Sequence, residues 1–190
     1  MFKQLVSAAL ALTATFAPQA ALAEDIQTLR SGFRYLDPEH KALVQAITAA
    51  GVNIRVNVGS NCASGADGVY YPQDRILAVC QDKAPQPHWS EVQWTENDLD
   101  TLRHEAVHLL QDCNAGDGVG GYSRLWFDDE TRVEFVKSAL SQRKIKWIFE
   151  AYADQSDFAI EAELEAFAIA DTVDPSLLAD AINKTCSYRF

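Results

Sequence analysis

Apolar and polar positions along the chain follow strand periods first and helical periods later. Residues 52–58 (V-N-I-R-V-N-V) alternate strictly, which predicts a strand with one buried face. Two more strands are predicted at 69–71 and 75–80, on either side of a Pro-Gln-Asp turn. Helical spacing predicts the other elements, at residues 37–51, 95–113, 128–142, 144–152, 157–172 and 174–185. The pattern therefore predicts an α+β fold, with a small antiparallel or mixed sheet and a C-terminal helical part.

The helix predicted at residues 95–113 has clear start signals and two distinct faces. Thr95 is a good N-cap, and Asp98 three residues later resembles the acidic half of a capping box. His104 and His108 lie one turn apart on the face opposite the apolar arc. That arc comprises Leu99, Leu102, Ala106, Val107, Leu109 and Leu110. The helix is therefore expected to bury its apolar arc and to present two imidazoles to a cleft.

Residues 104–108 read H-E-A-V-H, which is an H-E-x-x-H pattern. Two neutral imidazoles at this spacing can share one tetrahedral zinc ion. Glu105 lies beside them, where it can take a proton from zinc-activated water and pass it to a leaving amine. The alternative is an exposed helix that carries two solvated histidines. We favour the metal site because the pattern falls within a helix, away from its apolar arc.

A zinc site of this kind needs a third ligand, and the helix at 157–172 is the best source. It is apolar nearly all round, yet it carries Glu161, Glu163 and Glu165. A buried carboxylate is costly unless it is paired or binds a metal. Glu161 and Glu165 are four residues apart and share a face, whereas Glu163 points elsewhere. Glu161 and Glu165 are therefore the candidates, and residues 128–134 or a purely surface role for all three glutamates remain alternatives.

These features resemble the zincin metallopeptidases. Residues 157–171 also look like the second motif of glutamate zincins of the prenyl-protease type, E-x-x-x-D followed by Phe-Ala. Alignment on Phe167-Ala168 places Glu161 at the ligand position and Glu165 at the Asp position, which supports a ligand histidine by hydrogen bonding. Glu in place of Asp is a departure from that family. The resemblance implies one Zn²⁺ per chain, bound by His104, His108 and Glu161.

The resemblance also implies a function, that of a secreted zinc-dependent metallopeptidase acting on peptide or protein substrates with Glu105 as general base. Zincins line the cleft with one edge strand, for which residues 76–79 are the candidate. They also use a Tyr or His to stabilise the oxyanion, and Tyr122, Tyr152 and His88 are candidates here. The alternatives are a non-catalytic secreted binding protein on a zincin scaffold and a zinc-dependent hydrolase of cell-wall amides.

The N-terminus and the charge bear on location and partners. Residues 1–23 have the pattern of a signal peptide, with Lys3, an apolar run at 5–16 and Ala-Leu-Ala at 21–23. Residues 24–190 are then expected to form a single zincin-like domain in the periplasm or outside the cell. The net charge of −11 argues against nucleic acid and anionic membrane surfaces as partners. The sequence does not define an oligomeric state.

The chain contains four cysteines, an even number that predicts two disulfides in an exported protein. Three pairings are possible. We favour Cys62 with Cys80, across the predicted hairpin, and Cys113 with Cys186, which ties the tail to the end of the H-E-x-x-H helix. Metal binding by the cysteines is the alternative, but the chain contains no C-x-x-C motif.

Overall fold

The helices and strands follow the predicted order. The computed structural model describes residues 33, 36–62, 65–81, 94–116 and 124–186. The predicted signal peptide, His88 and Tyr122 lie outside the described residues. In chain order the elements are α1 (Pro38–Ala49), β1 (Asn53–Val56), the single turn α2 (Gly59–Cys62), β2 (Gly68–Tyr71), β3 (Ile76–Val79), α3 (Glu96–Asn114), α4 (Asp129–Ala139), α5 (Gln142–Ala151), α6 (Asp157–Thr172) and α7 (Pro175–Cys186).

Side-chain caps set the helix starts. Thr95 forms the predicted capping box with Asp98 at the start of α3, since each side chain accepts a hydrogen bond from the other residue's backbone N–H. Ser156 caps α6 by accepting from the backbone N–H of Ala159. These two helices carry the H-E-x-x-H residues and the three glutamates, so their caps define the register of the candidate site.

The three strands form a mixed sheet in the order β1-β3-β2. β1 runs parallel to β3, and β2 runs antiparallel to it, with Gly68 opposite Val79. The prediction that residues 76–79 form the edge strand is wrong, because β3 is central and all four of its residues are buried. Within the described part of the chain, β1 and β2 are the edges. The fold is therefore α+β with a small mixed sheet, as predicted, but its strand order differs from the expected one.

β1 is shorter than the predicted strand at residues 52–58. It ends before Asn57, whose φ of 57° is a left-handed conformation that asparagine tolerates. The Asn57 side chain accepts a hydrogen bond from the Gln81 backbone N–H at 2.8 Å and donates one to the Gln81 side chain at 3.0 Å. This clamp turns the chain out of the sheet next to the end of β3.

Both predicted disulfides are confirmed. Cys62 pairs with Cys80 at a Cα–Cα distance of 5.6 Å, and Cys113 pairs with Cys186 at 5.3 Å. The first joins the single turn α2 to the end of β3. The second joins the ends of α3 and α7, which also pack against each other in the main core.

Helix α6 lies between two apolar clusters. Ala166 and Ile169 belong to the larger one, with α1, α3, α7 and the sheet. Ile160 and Leu164 belong to a second cluster, which α4 and α5 complete. Since both sides of α6 are covered, its central carboxylates must find partners within the protein.

None of the helices that the structure describes combines the length and the apolar character needed to cross a membrane.

A polar network anchors α3 next to the candidate site. The Arg103 guanidinium donates to the backbone carbonyl of Ala170 on α6 at 2.8 Å and lies 3.0 Å from His40 Nε2 on α1. The other ring nitrogen of His40 contacts the carboxylate of Asp37, the N-cap of α1. Because Arg103 directly precedes His104, this network fixes α3 relative to α6 at the level of the first histidine.

Candidate metal centre

His104 and His108 direct their Nε2 atoms toward each other on α3, 3.1 Å apart. The apolar arc packs into the core as predicted, with Leu102, Val107 and Leu110 fully buried. The histidine face is not an open cleft, however, because α6 packs against it and leaves His104 only 7% exposed. The two imidazoles therefore meet α6 rather than bulk solvent.

The carboxylate of Glu163 on α6 completes a three-donor cluster with the two histidines. One of its oxygens lies 3.1 Å from His104 Nε2, and the other lies 3.4 Å from His108 Nε2. Ligand atoms on one tetrahedral zinc lie roughly 3.3 Å apart when the bonds are 2.0–2.1 Å. The separation of the two histidine nitrogens is close to that value, and each oxygen of Glu163 is close to it for one imidazole. One donor atom from each of the three residues lies within 4.8 Å of the others, so the residues present can surround a single small cation.

The hydrogen bonding of Glu163 is also incomplete. Its Oε2 atom is buried and has no donor in good hydrogen-bond geometry in the part of the chain described, although His104 Nε2 lies 3.1 Å away. Nδ1 of His104 is likewise without a partner among these residues. A buried carboxylate oxygen without a donor is costly. A cation bound between the three side chains would satisfy it.

The prediction that Glu161 lies beside the two histidines is wrong. Glu161 forms a salt bridge with Arg132 of α4 at 2.9 Å, and its side chain is 46% exposed. Glu163, expected to point elsewhere, is the glutamate that faces α3, because the face of α6 toward the histidines carries Glu163 and Phe167. Of the alternative segment at 128–134, Arg132 contacts a glutamate of α6, and no residue of that segment joins the three-donor cluster among the described residues.

Glu165 is fully buried and reaches one of the candidate ligand histidines only indirectly. Its Oε2 accepts a hydrogen bond from Gln111 Nε2 at 2.9 Å. Gln111 Oε1 lies 2.8 Å from Nδ1 of His108. Glu165 therefore lies in a position to support His108, as the resemblance implied, but it does so through Gln111, which the sequence did not single out.

Glu105 lies between the histidines and strand β2. It is 6% exposed, and the backbone N–H of Tyr70 donates to its carboxylate. A Cβ atom on Gly68 would lie 3.0 Å from Glu105 and would collide with the side chain of Thr101. Glycine at position 68 thus lets β2 approach α3 closely, which brings the sheet edge next to the candidate base.

The electrostatics of the cluster separate its carboxylates. Burial raises the pKa of Glu105, an effect that the nearby histidines oppose and that the charge of Glu163 reinforces. Burial also acts to raise the pKa of Glu163, but hydrogen bonding and charge from His104 and His108 outweigh it, so that pKa is far below its ordinary value. Glu163 is therefore the ionised partner of the histidines, and Glu105 is the carboxyl group held closer to neutrality.

Tyr152 is the one oxyanion candidate of the three that lies within the described residues. Burial raises the pKa of its phenol, and the charge of Glu163 together with hydrogen bonding to it raises that pKa further. Tyr152 follows the end of α5, and its hydrogen bond to Glu163 places it next to the three metal-donor candidates. Its hydroxyl remains a proton donor at neutral pH.

An aromatic contact holds His104 from the side. The ring of Phe167, one turn after Glu163 on α6, lies 4.3 Å from that of His104, and Trp147 packs edge-on against Phe167 at 5.7 Å. Phe167 stands where a carboxylate four residues after the ligand is expected in an E-x-x-x-D pattern. The requirement for a carboxylate four residues after the ligand therefore favoured Glu161, because Glu165 lies four residues after it, over Glu163.

Two imidazoles and a carboxylate with a second carboxylate beside them thus form a candidate cation site between α3 and α6. Comparison with family models gives a match over residues 33–187 to a family described as "Domain of unknown function (DUF8637)", and the chain belongs to that family. No curated protein and no solved structure matches the chain.

Proposed function

We propose that this protein is an exported zinc-dependent metallopeptidase of the zincin type. The observation that carries the proposal is the convergence of His104, His108 and Glu163, with Glu105 beside them. The donor set of two imidazoles and one carboxylate is that of catalytic zinc sites, which leave one position free for water or substrate. The two disulfides and the pattern of a signal peptide favour an oxidising compartment outside the cytoplasm.

The side chains around the site suit amide hydrolysis. A bound Zn²⁺ would supply Lewis-acid polarisation and would make water acidic near neutral pH. Glu105 accepts the proton from water and returns it to the leaving amine, and the pKa raised by burial brings this carboxyl closer to the working pH. The Tyr152 phenol, which stays protonated, donates a hydrogen bond to the oxygen that becomes negative.

Strand β2 is the edge strand for an extended substrate in this proposal. It pairs with β3 on one side only among the described residues, and it lies against α3 where Glu105 is. The Tyr70 backbone N–H already donates to Glu105, so a substrate would use the other main-chain groups of this edge. A peptide that adds to a sheet edge gains main-chain hydrogen bonds and presents alternate side chains to the protein. The role first assigned to residues 76–79 therefore passes to β2.

Three substitutions of glutamate by glutamine, each of which keeps the size of the side chain, test the proposal. Glu163→Gln removes a ligand, so zinc and hydrolysis should fall together. Glu161→Gln, two residues away on the same helix, is the matched control and should retain both. Glu105→Gln should keep one equivalent of zinc while hydrolysis falls roughly 10²–10⁴-fold. Metal content is measured by mass spectrometry of the purified protein, and hydrolysis with a quenched-fluorescence peptide library.

Two results would overturn the proposal. Retention of a full equivalent of zinc by Glu163→Gln would remove that glutamate from the site. Unchanged hydrolysis in Glu105→Gln would exclude the mechanism.

A second candidate function is metal binding without turnover. The observation that favours it is the low exposure of His104 and Glu105, at 7% and 6%, which leaves little room for a substrate to approach. Peptide and cell-wall amide substrates should both be assayed. A wild-type protein that binds one zinc and cleaves neither class would favour this candidate.

A further inference from the structure

We propose that Gln111 and Glu165 are positioning residues that hold the His108 imidazole with its proton on Nδ1 and the lone pair of Nε2 directed into the metal site. This inference rests on the proposed metal centre for its consequence, but the proton position can be tested without a metal. It explains why a glutamine and a glutamate are buried next to the site.

The orientation of the Gln111 amide follows from its partners. Its Nε2 lies 2.9 Å from Glu165 Oε2 and 3.1 Å from the backbone carbonyl of Ala162, and both of these are acceptors. The nitrogen must therefore face them, since the reverse orientation would set an oxygen against two oxygens. That leaves the amide oxygen, 2.8 Å from Nδ1 of His108, as the group that accepts from the ring.

The position of the ring proton follows from this orientation. A neutral imidazole has one N–H and one lone pair, and the partner of one nitrogen determines the role of the other. Gln111 offers Nδ1 of His108 only an acceptor, at 2.8 Å, whereas the nearest oxygen of Glu163 lies 3.4 Å from Nε2, so the neutral ring keeps its proton on Nδ1. The lone pair then belongs to Nε2, the nitrogen that faces His104 and Glu163.

Glu165 in turn is anchored by the backbone. One of its oxygens accepts from the N–H of Trp126 and the other from the N–H of Phe127, each at 2.9 Å. With Gln111 this gives three donors to a carboxylate that is 0% exposed. Three fixed donors prevent Glu165 from turning, so it holds the Gln111 amide in one orientation.

The other histidine has no such support. Nδ1 of His104 has no hydrogen-bond partner within the described residues, and its ring contacts Phe167. Only His108 is therefore oriented by a hydrogen bond to its outer nitrogen. Outer hydrogen bonds of this kind typically change metal affinity by roughly 10–100-fold when they are removed.

The first test is zinc affinity, measured by competition with a chromophoric chelator. Gln111→Leu should bind Zn²⁺ roughly 10–100-fold more weakly than wild type. Asn114→Ala is the matched control, because Asn114 lies on the same helix and binds the backbone of Arg124 and Leu125 without touching His108. If Gln111→Leu binds zinc like wild type, or if Asn114→Ala weakens binding equally, the positioning role is excluded.

The second test reads the proton directly, by long-range ¹⁵N–¹H NMR of the histidine rings in the metal-free protein at alkaline pH. Wild type should show His108 with Nδ1 protonated and Nε2 unprotonated. Glu165→Gln retains the shape of the side chain and is the variant to use if Gln111→Leu does not fold. It should shift the His108 ring toward a mixture of the two neutral forms. A wild-type ring protonated on Nε2 would overturn the inference. If wild type has the expected ring form but binds no zinc, the proposed function fails and the positioning role stands.

Discussion

Metal binding at this site is expected to be linked to the loss of a proton from His108. Burial alone would lower the pKa of this histidine. The hydrogen bond to Glu163 and the charges of Glu105 and Glu163 outweigh burial and raise it to about 9 in the metal-free protein. At neutral pH the His108 ring therefore carries two protons, one on Nδ1 facing Gln111 and a second on Nε2 facing Glu163. A cation that uses this nitrogen must displace that proton.

The size of the effect follows from the pKa of His108. Each pH unit below a pKa of about 9 weakens zinc binding about tenfold, so affinity at pH 7 is about 100-fold lower than the plateau that is reached when the ring is fully deprotonated. This corresponds to about 2.7 kcal/mol. A histidine with an ordinary pKa near 6.5 would lower affinity at pH 7 only about 1.3-fold. The two cases are easily distinguished.

Isothermal titration calorimetry of the metal-free protein with Zn²⁺ measures this linkage. Titrations at pH 7.5 in two buffers with different heats of ionisation should show release of about one proton from His108 per zinc bound. Affinity should rise with pH up to about 9 and then level off. A zinc affinity that does not change between pH 7 and pH 8.5, with no proton released, would refute the reasoning.

The same ion pair sets the pH dependence of stability without metal. Because the folded-state pKa of His108 is raised, its contribution is fully present below about 6.5 and is lost as pH rises to about 9. The pKa of Glu163 is lowered, so its contribution is present above the ordinary value and is lost as pH falls. Urea denaturation in the presence of a chelator should therefore show a free energy of unfolding that declines between pH 6.5 and 9. No decline over that interval would contradict the pairing of these two residues.

Two further predictions concern the scaffold. Gly68→Ala should lower the free energy of unfolding by roughly 1–3 kcal/mol, because the new methyl group meets Thr101, and Thr101→Ser in the same chain should recover part of the loss in urea denaturation. Absence of any recovery would place the strain elsewhere. Replacing the Cys113–Cys186 pair by alanines should lower the free energy of unfolding by about 4 kcal/mol, and replacing the Cys62–Cys80 pair should lower it by about 3 kcal/mol. The difference is expected because Cys113–Cys186 spans 73 residues of sequence and Cys62–Cys80 spans 18. Equal losses in paired denaturation experiments would show that loop length does not govern these bonds.

Local signals in the sequence predicted most of the fold. The cap and acidic third residue at Thr95 and Asp98 gave the start of α3, and Asp-Pro at 37–38 gave the start of α1, because these residues satisfy helix-end N–H groups wherever the chain goes next. The disulfides followed from the predicted hairpin and from the position of Cys113 at the end of the H-E-x-x-H helix. The order of the strands in the sheet could not be predicted in this way. In a three-stranded sheet, edge and central strands can have the same short length and the same alternation of apolar and polar residues.

Local signals also predicted the part of the candidate site that lies on a single helix. His104, Glu105 and His108 belong to one helix, so their relative positions follow from its period alone. The third donor belongs to another helix, and its identity depends on how α6 is rotated about its own axis against α3. That rotation comes from packing on two clusters at once, with Ala166 and Leu164 on different sides. No local pattern in residues 157–172 specifies it.

Phe167 connects the error in the third donor with the role inferred for Gln111. The residue one turn after Glu163 faces His104, and a carboxylate there could accept from Nδ1 of that histidine. Phenylalanine packs against the ring but accepts nothing, so the spacing of two carboxylates pointed to Glu161 and Glu165. The hydrogen-bond support is found at His108 instead. Gln111 lies three residues after His108 on α3 and bridges it to Glu165 across the helix interface. A spacing rule within α6 cannot find such support, because half of it lies on α3.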